Sequence, residues 1–572
     1  MDETNEENKI AEEATEEHKK HQVIKEKKNT ERNKEEANDS KDDEIDLSRI
    51  KSIVTNEKFI LCFLFLFSLA LRIMFKNAGL WHFDSYADAK TVEEMLQYGR
   101  FEYSYGYGAP GAMAVLFIVY FFHHLLTGAA SAEFSYFLLT FITASLAVVL
   151  IYIITKKITK NKFISMAAAL FFSATPIFLS ETVYPKTHGP SVFFGLLAGY
   201  LLMVAGDKDT LKESWLYIVL SGLFFGLNIA IRPDGVLYII PFGVLYLNPR
   251  IENRKLIIRK NRFTLSRLAI FVLPMAVILI GLFIPRVVEL GGVSQFIELL
   301  NPKTETRGGW LGMISQNTMT SFGHVTTSIT WLGWIAVLIG LFYFYAKKMW
   351  FELAVMIGWF LMFFLLFGNL AVVHARFLLP GLIPLAILMA AGCYIISKQH
   401  KTAGYVVVFI LLGAMFYNIY PVISYRHEHS GTKEFSMYVA QKTPENAVVM
   451  ANDLGFFIQY YGHRKIIIHP RTGDPDEIGS FIAQLFNYTD EGRQIYATGE
   501  GFAIDPGNLV QQALVHYFDI QQVGAANNEW YGDGTLKLAV YQELLFKLTP
   551  KPEFTGQKTR DIKISIKKQT NT

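Results

Sequence analysis

The sequence predicts a polytopic α-helical membrane protein that carries a small α/β domain at its C-terminus. Hydrophobic residues make up 51% of the 572 residues and charged residues only 18%, so the hydrophobic fraction is higher and the charged fraction lower than in a typical soluble protein. Apolar runs of roughly 17 to 25 residues, the length that crosses a bilayer, recur along the chain. From about residue 425 the composition changes to short strand-like and helix-like runs, which predict the separate domain.

Charge and cysteine content exclude several functions. A net charge of +3 is too close to neutral to indicate nucleic-acid binding. Cys62 and Cys393 both lie in apolar runs, so we expect neither a disulfide framework nor a CxxC site for metal or redox chemistry.

The N-terminal segment, residues 1–56, is nearly all charged or polar and has no aromatic residue. It has too little apolar surface to offset the entropy cost of folding, so we predict a disordered, solvated tail on the cytoplasmic side. A regulatory or partner-binding role is the less favoured alternative. The segment lacks the layout of a cleaved signal peptide.

Twelve apolar segments follow the tail, and basic loops predict their orientation, because short loops rich in Lys and Arg favour the cytoplasm. The strongest marker is the loop 248–267, with seven basic residues and one acid. The segments are 57–76, 111–127, 134–155, 163–180, 189–205, 215–231, 234–247, 268–285, 328–346, 351–368, 377–397 and 403–421.

If every segment crossed the membrane once, successive loops would lie on alternate sides, and segment 111–127 does not fit the sides that the basic loops indicate. We favour a re-entrant or surface-lying segment there, which leaves eleven full spans and one juxtamembrane helix; the alternative is a loop that violates the positive-inside tendency. The predicted regions are a membrane domain, 57–424, with its first extracytoplasmic loop at 77–133, and an extracytoplasmic α/β domain, 425–572.

Charged and polar residues from four distant segments map to the outer ends of the predicted spans, where charge is costly unless it is paired or hydrated. Any one Arg could simply extend to the membrane interface, but the convergence favours a site. Arg holds phosphate through paired hydrogen bonds, and a carboxylate can accept a proton from a hydroxyl, so the set suits group transfer from a lipid phosphate to an acceptor hydroxyl. The candidates are Asp84, Asp88, Lys90, Glu181, Lys186, His188, Arg232, His374 and Arg376.

The stretch HFDSYADAKTVEEMLQYG, residues 82–99, predicts an amphipathic helix on the outer membrane face. Ser85 and Asp88 match the capping box S-x-x-D, so Asp88 could serve only to begin the helix. Capping explains Asp84 less well. Asp84 and Asp88 are four residues apart, unlike the D-x-D pattern of sites that use a divalent ion, so no cofactor is certain and a divalent cation stays open.

Several motifs resemble the polyprenyl-phosphate-dependent glycosyltransferases of the GT-C fold, within them the protein O-mannosyltransferase and aminoarabinose transferase group. The group's pattern D-E-x-R-Y-A-x-x-x-x-E-M-L-x-x-G places an Asp fifteen residues before a Gly, as Asp84 stands before Gly99. Over residues 57 to 470 the resemblance also rests on GYGAPG, GLNIAIRPDGVLYIIP, HARFLLPGLIPL and YYGHRKIII.

The resemblance implies inverting transfer of a sugar from a polyprenyl-phosphate donor to an acceptor hydroxyl of a protein, lipid or glycan on the extracytoplasmic face. It implies that Asp84 is the general base or positions the acceptor, and that Arg232 and Arg376 hold the lipid phosphate. The remaining candidates would line the pocket. The oligosaccharyltransferase signature W-W-D-x-G is absent, which argues against transfer of a whole glycan.

The sequence departs from the group at three places, which leaves the sugar and the acceptor open. Ser85 replaces the acid after Asp84, and Gly108-Ala109-Pro110 replaces K-P-P. A second Asp of the group is replaced within Thr187-His188-Gly189-Pro190, where His188 or Glu181 could substitute.

Two other classes of protein compete with a glycosyltransferase. A secondary transporter would need internal repeats and mid-membrane charges, and neither is seen. The second alternative is a non-catalytic membrane assembly subunit. Its only support is that some residues typical of the glycosyltransferase group are absent from this sequence.

Overall fold

The computed structural model describes residues 56–104, 108–248, 250–252, 255–257, 264–300, 309–368, 374–471, 473–503, 505–529 and 536–554. The predicted disordered tail lies outside the described residues apart from Asn56. The chain divides into two units, residues 1–63 and 64–572, inside the first helix. Of the first unit only residues 56–63 are described, and they begin that helix.

All twelve predicted apolar segments form helices. Their helices are α1 (Glu57–Met74), α3 (Pro110–Thr127), α4 (Ala132–Thr159), α5 (Lys162–Ala174), α6 (Pro176–Thr182), α7 (His188–Gly206), α8 (Leu211–Ile231), a 3-10 helix (Pro233–Tyr238) with α9 (Ile239–Leu247), α10 (Leu265–Glu289), α12 (Gly309–Ala346), α13 (Trp350–Gly368), a 3-10 helix (Ala375–Gly381) with α14 (Leu382–Gln399), and α15 (Lys401–Glu428). Between them lie α2 (Phe83–Tyr98), β1 (Arg250–Glu252), β2 (Lys255–Ile257) and α11 (Val293–Leu300).

Nine of the described helices are long and apolar enough to cross a membrane, or ten if α5 and α6 are one span bent by 58°. The bend falls at Thr175–Pro176, because proline lacks the N–H that would continue the ladder and disfavours a helical residue before it. The segment 111–127, predicted to be re-entrant or surface-lying, forms the single helix α3, which is among the nine that are long and apolar enough to cross a membrane. The protein is therefore a multi-pass membrane protein.

Helix ends and helix contacts follow local sequence signals. Ser131, Asn161 and Thr210 cap α4, α5 and α8, each accepting a hydrogen bond from a backbone N–H in the first turn. Glycines allow α12 and α14 to pack closely: a Cβ on Gly340 would collide with the carbonyl oxygen of Leu388, and one on Gly392 with that of Ala336.

The C-terminal domain is the predicted α/β domain. Its elements are α16 (Gly431–Lys442), β3 (Val448–Met450), α17 (Leu454–Gly462), β4 (Lys465–Ile467), α18 (Pro475–Asp490), β5 (Ile495–Thr498), α19 (Leu509–Tyr517), β6 (Phe518–Glu529) and β7 (Val540–Pro550). The strand order is β4-β3-β5-β7-β6, with β3 parallel to β4 and β5 and with β7 antiparallel to β5 and β6. A 3-10 helix, Glu500–Phe502, follows β5.

The sheet is covered on both faces by different partners. One face packs on α18 and α19 through residues such as Ile482 and Leu514. Side chains of the other face, among them Val449 and Tyr496, belong to one hydrophobic core with α16, α17, α2, α3 and α4. The helix α2 therefore lies between the C-terminal domain and the membrane helices, which fixes its position.

A buried ion pair joins the domain to the membrane helices. The guanidinium of Arg426 in α15 donates to Glu529 of β6 at 2.8 Å, and both side chains are at most 1% exposed. The same guanidinium lies 3.7 Å from the ring centroid of Trp81 and donates to Ser180 Oγ at 3.4 Å. This junction connects α6, α15, β6 and the segment that precedes α2.

Candidate functional site

The N-terminus of α2 brings Asp84 against the loop between α6 and α7. His82 is the N-cap residue of α2, and Ser85 is buried and donates its hydroxyl hydrogen bond to the carbonyl of Pro185. Asp84 is 41% exposed, and its Oδ2 lies 3.9 Å from Nζ of Lys186. The carboxylate therefore faces both open space and a buried cation.

The capping-box interpretation of Ser85 and Asp88 is wrong. The helix begins at Phe83, so Ser85 lies inside the first turn and its hydroxyl is bonded to the neighbouring loop. Asp88 is buried and accepts hydrogen bonds from Ser104 Oγ at 2.5 Å and Tyr136 Oη at 2.8 Å. It connects α2 to α4 and to the loop before α3, rather than bonding to backbone N–H groups of α2.

His82 connects Asp84 to Arg376. Nη1 of Arg376 lies 3.2 Å from Nε2 of His82, and Nδ1 of His82 lies 3.3 Å from Oδ2 of Asp84. Nδ1 of His82 also lies 3.1 Å from the backbone nitrogen of Asp84, so the ring caps α2 as well as contacting Arg376. Burial, followed by the charges of Lys186 and Arg376, holds the pKa of His82 well below its usual value, which keeps the ring neutral.

A second Arg–His–carboxylate chain runs beside the first. Nη1 of Arg232 lies 3.0 Å from Nε2 of His188, whose Nδ1 lies 3.4 Å from Oε2 of Glu181. Tyr184 donates to the same oxygen of Glu181 at 2.8 Å. Asp234 accepts two hydrogen bonds from Arg232, at 3.0 and 3.2 Å, which orient that guanidinium.

Lys186 lies at the centre of the two chains. Its side chain is 2% exposed, and its Nζ has no hydrogen-bond partner among the described residues. Burial, followed by the charge of Arg376, lowers the pKa of Lys186 to about 7, and the charges of Glu181, Asp84 and Arg232 also act on it. An anion placed against this side chain would raise the pKa of Lys186 and favour the charged ammonium, which would in turn attract the anion.

Phe377 lies close to both arginines. The guanidinium carbons of Arg232 and Arg376 are 5.6 and 5.5 Å from the centroid of its ring. The 3-10 helix that carries Arg376 is thus placed beside the end of α8, where Arg232 begins the next turn. The result is a cluster of three cations, Lys186, Arg232 and Arg376, that faces Asp84 and is suited to a phosphate group.

Of the nine predicted residues, the structure brings seven together. They are Asp84, Glu181, Lys186, His188, Arg232, Arg376 and His374, the last through its electrostatic interaction with His82. Asp88 lies nearby but is enclosed by Ser104 and Tyr136. Lys90 lies on another face of α2, with its Nζ 3.7 Å from Glu94 and 3.3 Å from Gln459.

His82 and Tyr184 were not among the predicted residues. His82 contacts Arg376, 294 residues later in the chain, and Tyr184 donates to Glu181, three residues earlier. Among the described residues, no group of three or more His, Cys, Asp and Glu side chains lies close enough to hold a metal ion.

We expect Asp88→Asn to remove a pH dependence of stability. Burial is the main cause that raises the pKa of Asp88 to about 7, from 3.8. Between those values the folded state binds the proton more tightly than the unfolded state, so this residue's contribution is present at low pH and is lost as pH rises towards 7. Asn is neutral throughout, so the variant should unfold at a higher temperature than the parent at pH 8 but not at pH 4.

Thermal unfolding of the purified protein at pH 4, 6 and 8 checks this expectation. Glu94→Gln, on the same helix but partly exposed, is the matched control and should leave the pH profile unchanged. An Asp88→Asn variant that is less stable than the parent at pH 8 would show that the charged form is the one the fold favours.

The comparisons with known proteins agree with this architecture. Residues 110–280 match the model of a family described as dolichyl-phosphate-mannose-protein mannosyltransferase. This matched stretch contains Glu181, Lys186, His188 and Arg232 but not Asp84 or Arg376. The comparison with curated protein sequences gave no match.

Three solved structures are similar to the chain over most of its length. ArnT from Cupriavidus metallidurans bound to undecaprenyl phosphate has a TM-score of 0.57 and 12% identity, covering 86% of this chain and 98% of that one. The same protein in the apo state has a TM-score of 0.54 and 12% identity, covering 85% and 97%. The Archaeoglobus fulgidus oligosaccharyltransferase complex with Zn and sulfate has a TM-score of 0.51 and 12% identity, covering 84% and 72%.

These comparisons confirm the predicted fold class and the predicted resemblance to the polyprenyl-phosphate-dependent GT-C group. At 12% identity the solved structures show the fold alone. The family match in the membrane core adds support for a membrane glycosyltransferase that uses a polyprenyl-linked donor.

Proposed function

We propose that this protein transfers a sugar from a polyprenyl-phosphate donor to an acceptor hydroxyl on the extracytoplasmic side of the membrane. The observation that carries the proposal is the buried ammonium of Lys186, which lacks a hydrogen-bond partner among the described residues, beside Arg232, Arg376 and the partly exposed Asp84. A phosphate on the cations would place the neighbouring sugar carbon near the carboxylate.

The reaction that fits this arrangement is a single displacement with inversion. Asp84 takes the proton of the acceptor hydroxyl, the acceptor oxygen bonds to the anomeric carbon, and the bond from that carbon to the phosphate oxygen breaks. Polyprenyl phosphate leaves with one additional negative charge. Lys186 and Arg376 stabilise that charge as it develops, in positions that the fold has already fixed.

Roles for the remaining residues follow from their contacts. His82 lies between Arg376 and Asp84, and His188 lies between Arg232 and Glu181, so the two rings orient the guanidinium groups. Tyr184 and His188 both contact Glu181 and hold its carboxylate in place, and His374 contributes through His82. Asp88 and Lys90 position α2 in this scheme, Asp88 through Ser104 and Tyr136, Lys90 through Glu94 and Gln459.

The function is tested in cells and with the purified protein. Deleting the coding sequence should remove one class of sugar from surface glycoproteins, glycans or lipids, measured by mass spectrometry, and the parent chain should restore it while Asp84→Asn should not. The purified protein should release polyprenyl phosphate from a labelled polyprenyl-phosphate sugar. Repeating the assay with EDTA decides whether a divalent cation takes part.

Two outcomes would favour the competing classes. Movement of intact donor across vesicles without cleavage would indicate a transporter. Full restoration of surface glycosylation by Asp84→Asn, with no donor cleavage by the purified parent, would indicate an assembly subunit.

We expect Arg376→Gln to weaken use of the donor by roughly 10-fold or more in KM, because a hydrogen bond to a charged group contributes about 1.5–3 kcal/mol. The neutral amide keeps a donor for His82 but loses the charge opposite the phosphate. Arg100→Gln, which removes an exposed guanidinium bonded to Glu102, should leave the KM for the donor unchanged. Initial rates over a range of donor concentrations measure both, and an unchanged KM in Arg376→Gln would contradict the phosphate-binding role.

A further inference from the structure

A groove lies between α7, α8, α9 and α10, far from the candidate site. It has a volume of about 160 Å³ and an almost entirely apolar lining that includes Leu202, Ile218, Tyr246, Leu268 and Phe271. The groove lies beside the N-terminal half of α8, at Ile218, whereas Arg232 follows the C-terminus of that helix. Ile218, the residue of α8 that lines the groove, precedes Arg232 by 14 residues, so the two are about 21 Å apart along the helix.

Arg267 is the charged residue of this groove. Its side chain is only 4% exposed, yet both of its hydrogen-bond partners are uncharged: Tyr246 Oη at 3.2 Å and the backbone oxygen of Asp209 at 3.3 Å. Within the part of the chain that the structure describes, no carboxylate forms an ion pair with it. A buried guanidinium whose charge is not balanced is costly, so an anion beside it would be stabilising.

The groove opens towards the hydrocarbon region. A Cβ built on Gly243, which lines it, meets no atom within 4 Å. Leu268 is 46% exposed, and none of the most apolar stretch of α10 is buried by the rest of the protein. In a multi-pass membrane protein such a surface faces lipid chains, so the groove is accessible from the bilayer.

We propose that this groove binds one anionic phospholipid, with its phosphate against Arg267 and an acyl chain along the apolar lining. An apolar groove that ends at a buried cation matches the two parts of a phospholipid. The phosphate would also lie near the first turn of α10, whose free N–H groups attract negative charge.

Native mass spectrometry of the delipidated full chain in an uncharged detergent tests the proposal. Phosphatidylglycerol should bind with a stoichiometry of one and at least 10-fold more tightly than phosphatidylcholine of the same chains. Inorganic phosphate alone should not compete at millimolar concentration. Arg267→Gln should weaken phosphatidylglycerol binding at least 10-fold.

A second variant separates lipid binding from a structural role of Arg267. Gly243→Leu fills the open groove without touching Arg267, and it should also weaken phosphatidylglycerol binding at least 10-fold while donor cleavage continues. Arg286→Gln, at the other end of α10, is the matched control and should bind phosphatidylglycerol as the parent does. Equal affinity for the two lipids, competition by inorganic phosphate, or unchanged binding in Gly243→Leu would each overturn the proposal.

Discussion

Replacing Asp84 with Asn is expected to lower the rate of sugar transfer by roughly 10²- to 10⁴-fold, the range that a positioned general base contributes. The amide has the size of the carboxylate and can still contact His82 and Lys186. It cannot take the proton of the acceptor hydroxyl. The loss should therefore appear in kcat, with little change in the KM for the donor, because the three cations are intact.

Single-turnover assays with the purified protein and a labelled polyprenyl-phosphate sugar separate these two effects. Glu94 is on the same helix, and the ion pair described for its carboxylate is with Lys90. The transfer rate of Glu94→Gln should therefore stay within twofold of the parent rate. If Asp84→Asn transfers sugar at the parent rate, another group accepts the proton and the assignment of Asp84 is wrong. If Asp84→Asn instead loses donor binding, the carboxylate positions Lys186 rather than acting as a base.

Replacing Arg426 with Ala is expected to lower the free energy of unfolding by about 3–5 kcal/mol, the cost of leaving one partner of a buried ion pair without the other. Glu529 would keep a buried carboxylate with no guanidinium, and Trp81 would lose the cation that lies 3.7 Å from its ring centroid. Because His82 follows Trp81 in the chain, we also expect slower transfer at temperatures where the variant remains folded.

Thermal or denaturant unfolding in one detergent measures the difference. Arg493→Ala breaks an exposed pair with Glu491 at 3.0 Å and should cost at most about 1 kcal/mol, as surface pairs do. Replacing both Arg426 and Glu529 with apolar residues should recover much of the lost stability, because the unpaired charge is then gone. Equal stability of Arg426→Ala and Arg493→Ala would show that the buried pair does not hold the domain in place.

The sequence predicted the membrane helices and most of the candidate site, for identifiable physical reasons. A bilayer imposes long apolar runs, so every predicted segment is helical. Charges at span ends are costly, so Lys186, Arg232 and Arg376 could be selected by position alone. Their convergence with Asp84 required only that the predicted loops lie on one face.

The parts that could not be predicted depend on contacts between distant residues. His82 reads as an ordinary residue before a helix, and its role comes from Arg376 in another segment. Asp88 matched a local capping pattern, while Ser104 and Tyr136 decide its actual environment. Strand β6 lies at the edge of the sheet, where a polar sequence such as FDIQQVGAANNE is tolerated and gives no apolar alternation.

The position of α2 beneath the C-terminal sheet sets an order of events during synthesis. Tyr86 of α2 donates a hydrogen bond to Gln459, 373 residues later in the chain. At about 5–20 residues per second, a ribosome needs roughly 20 to 75 s to make that interval. The helix that carries Asp84 is therefore among the first parts to leave the ribosome and among the last to be covered, so a nascent chain has all its membrane helices before the C-terminal sheet packs on α2.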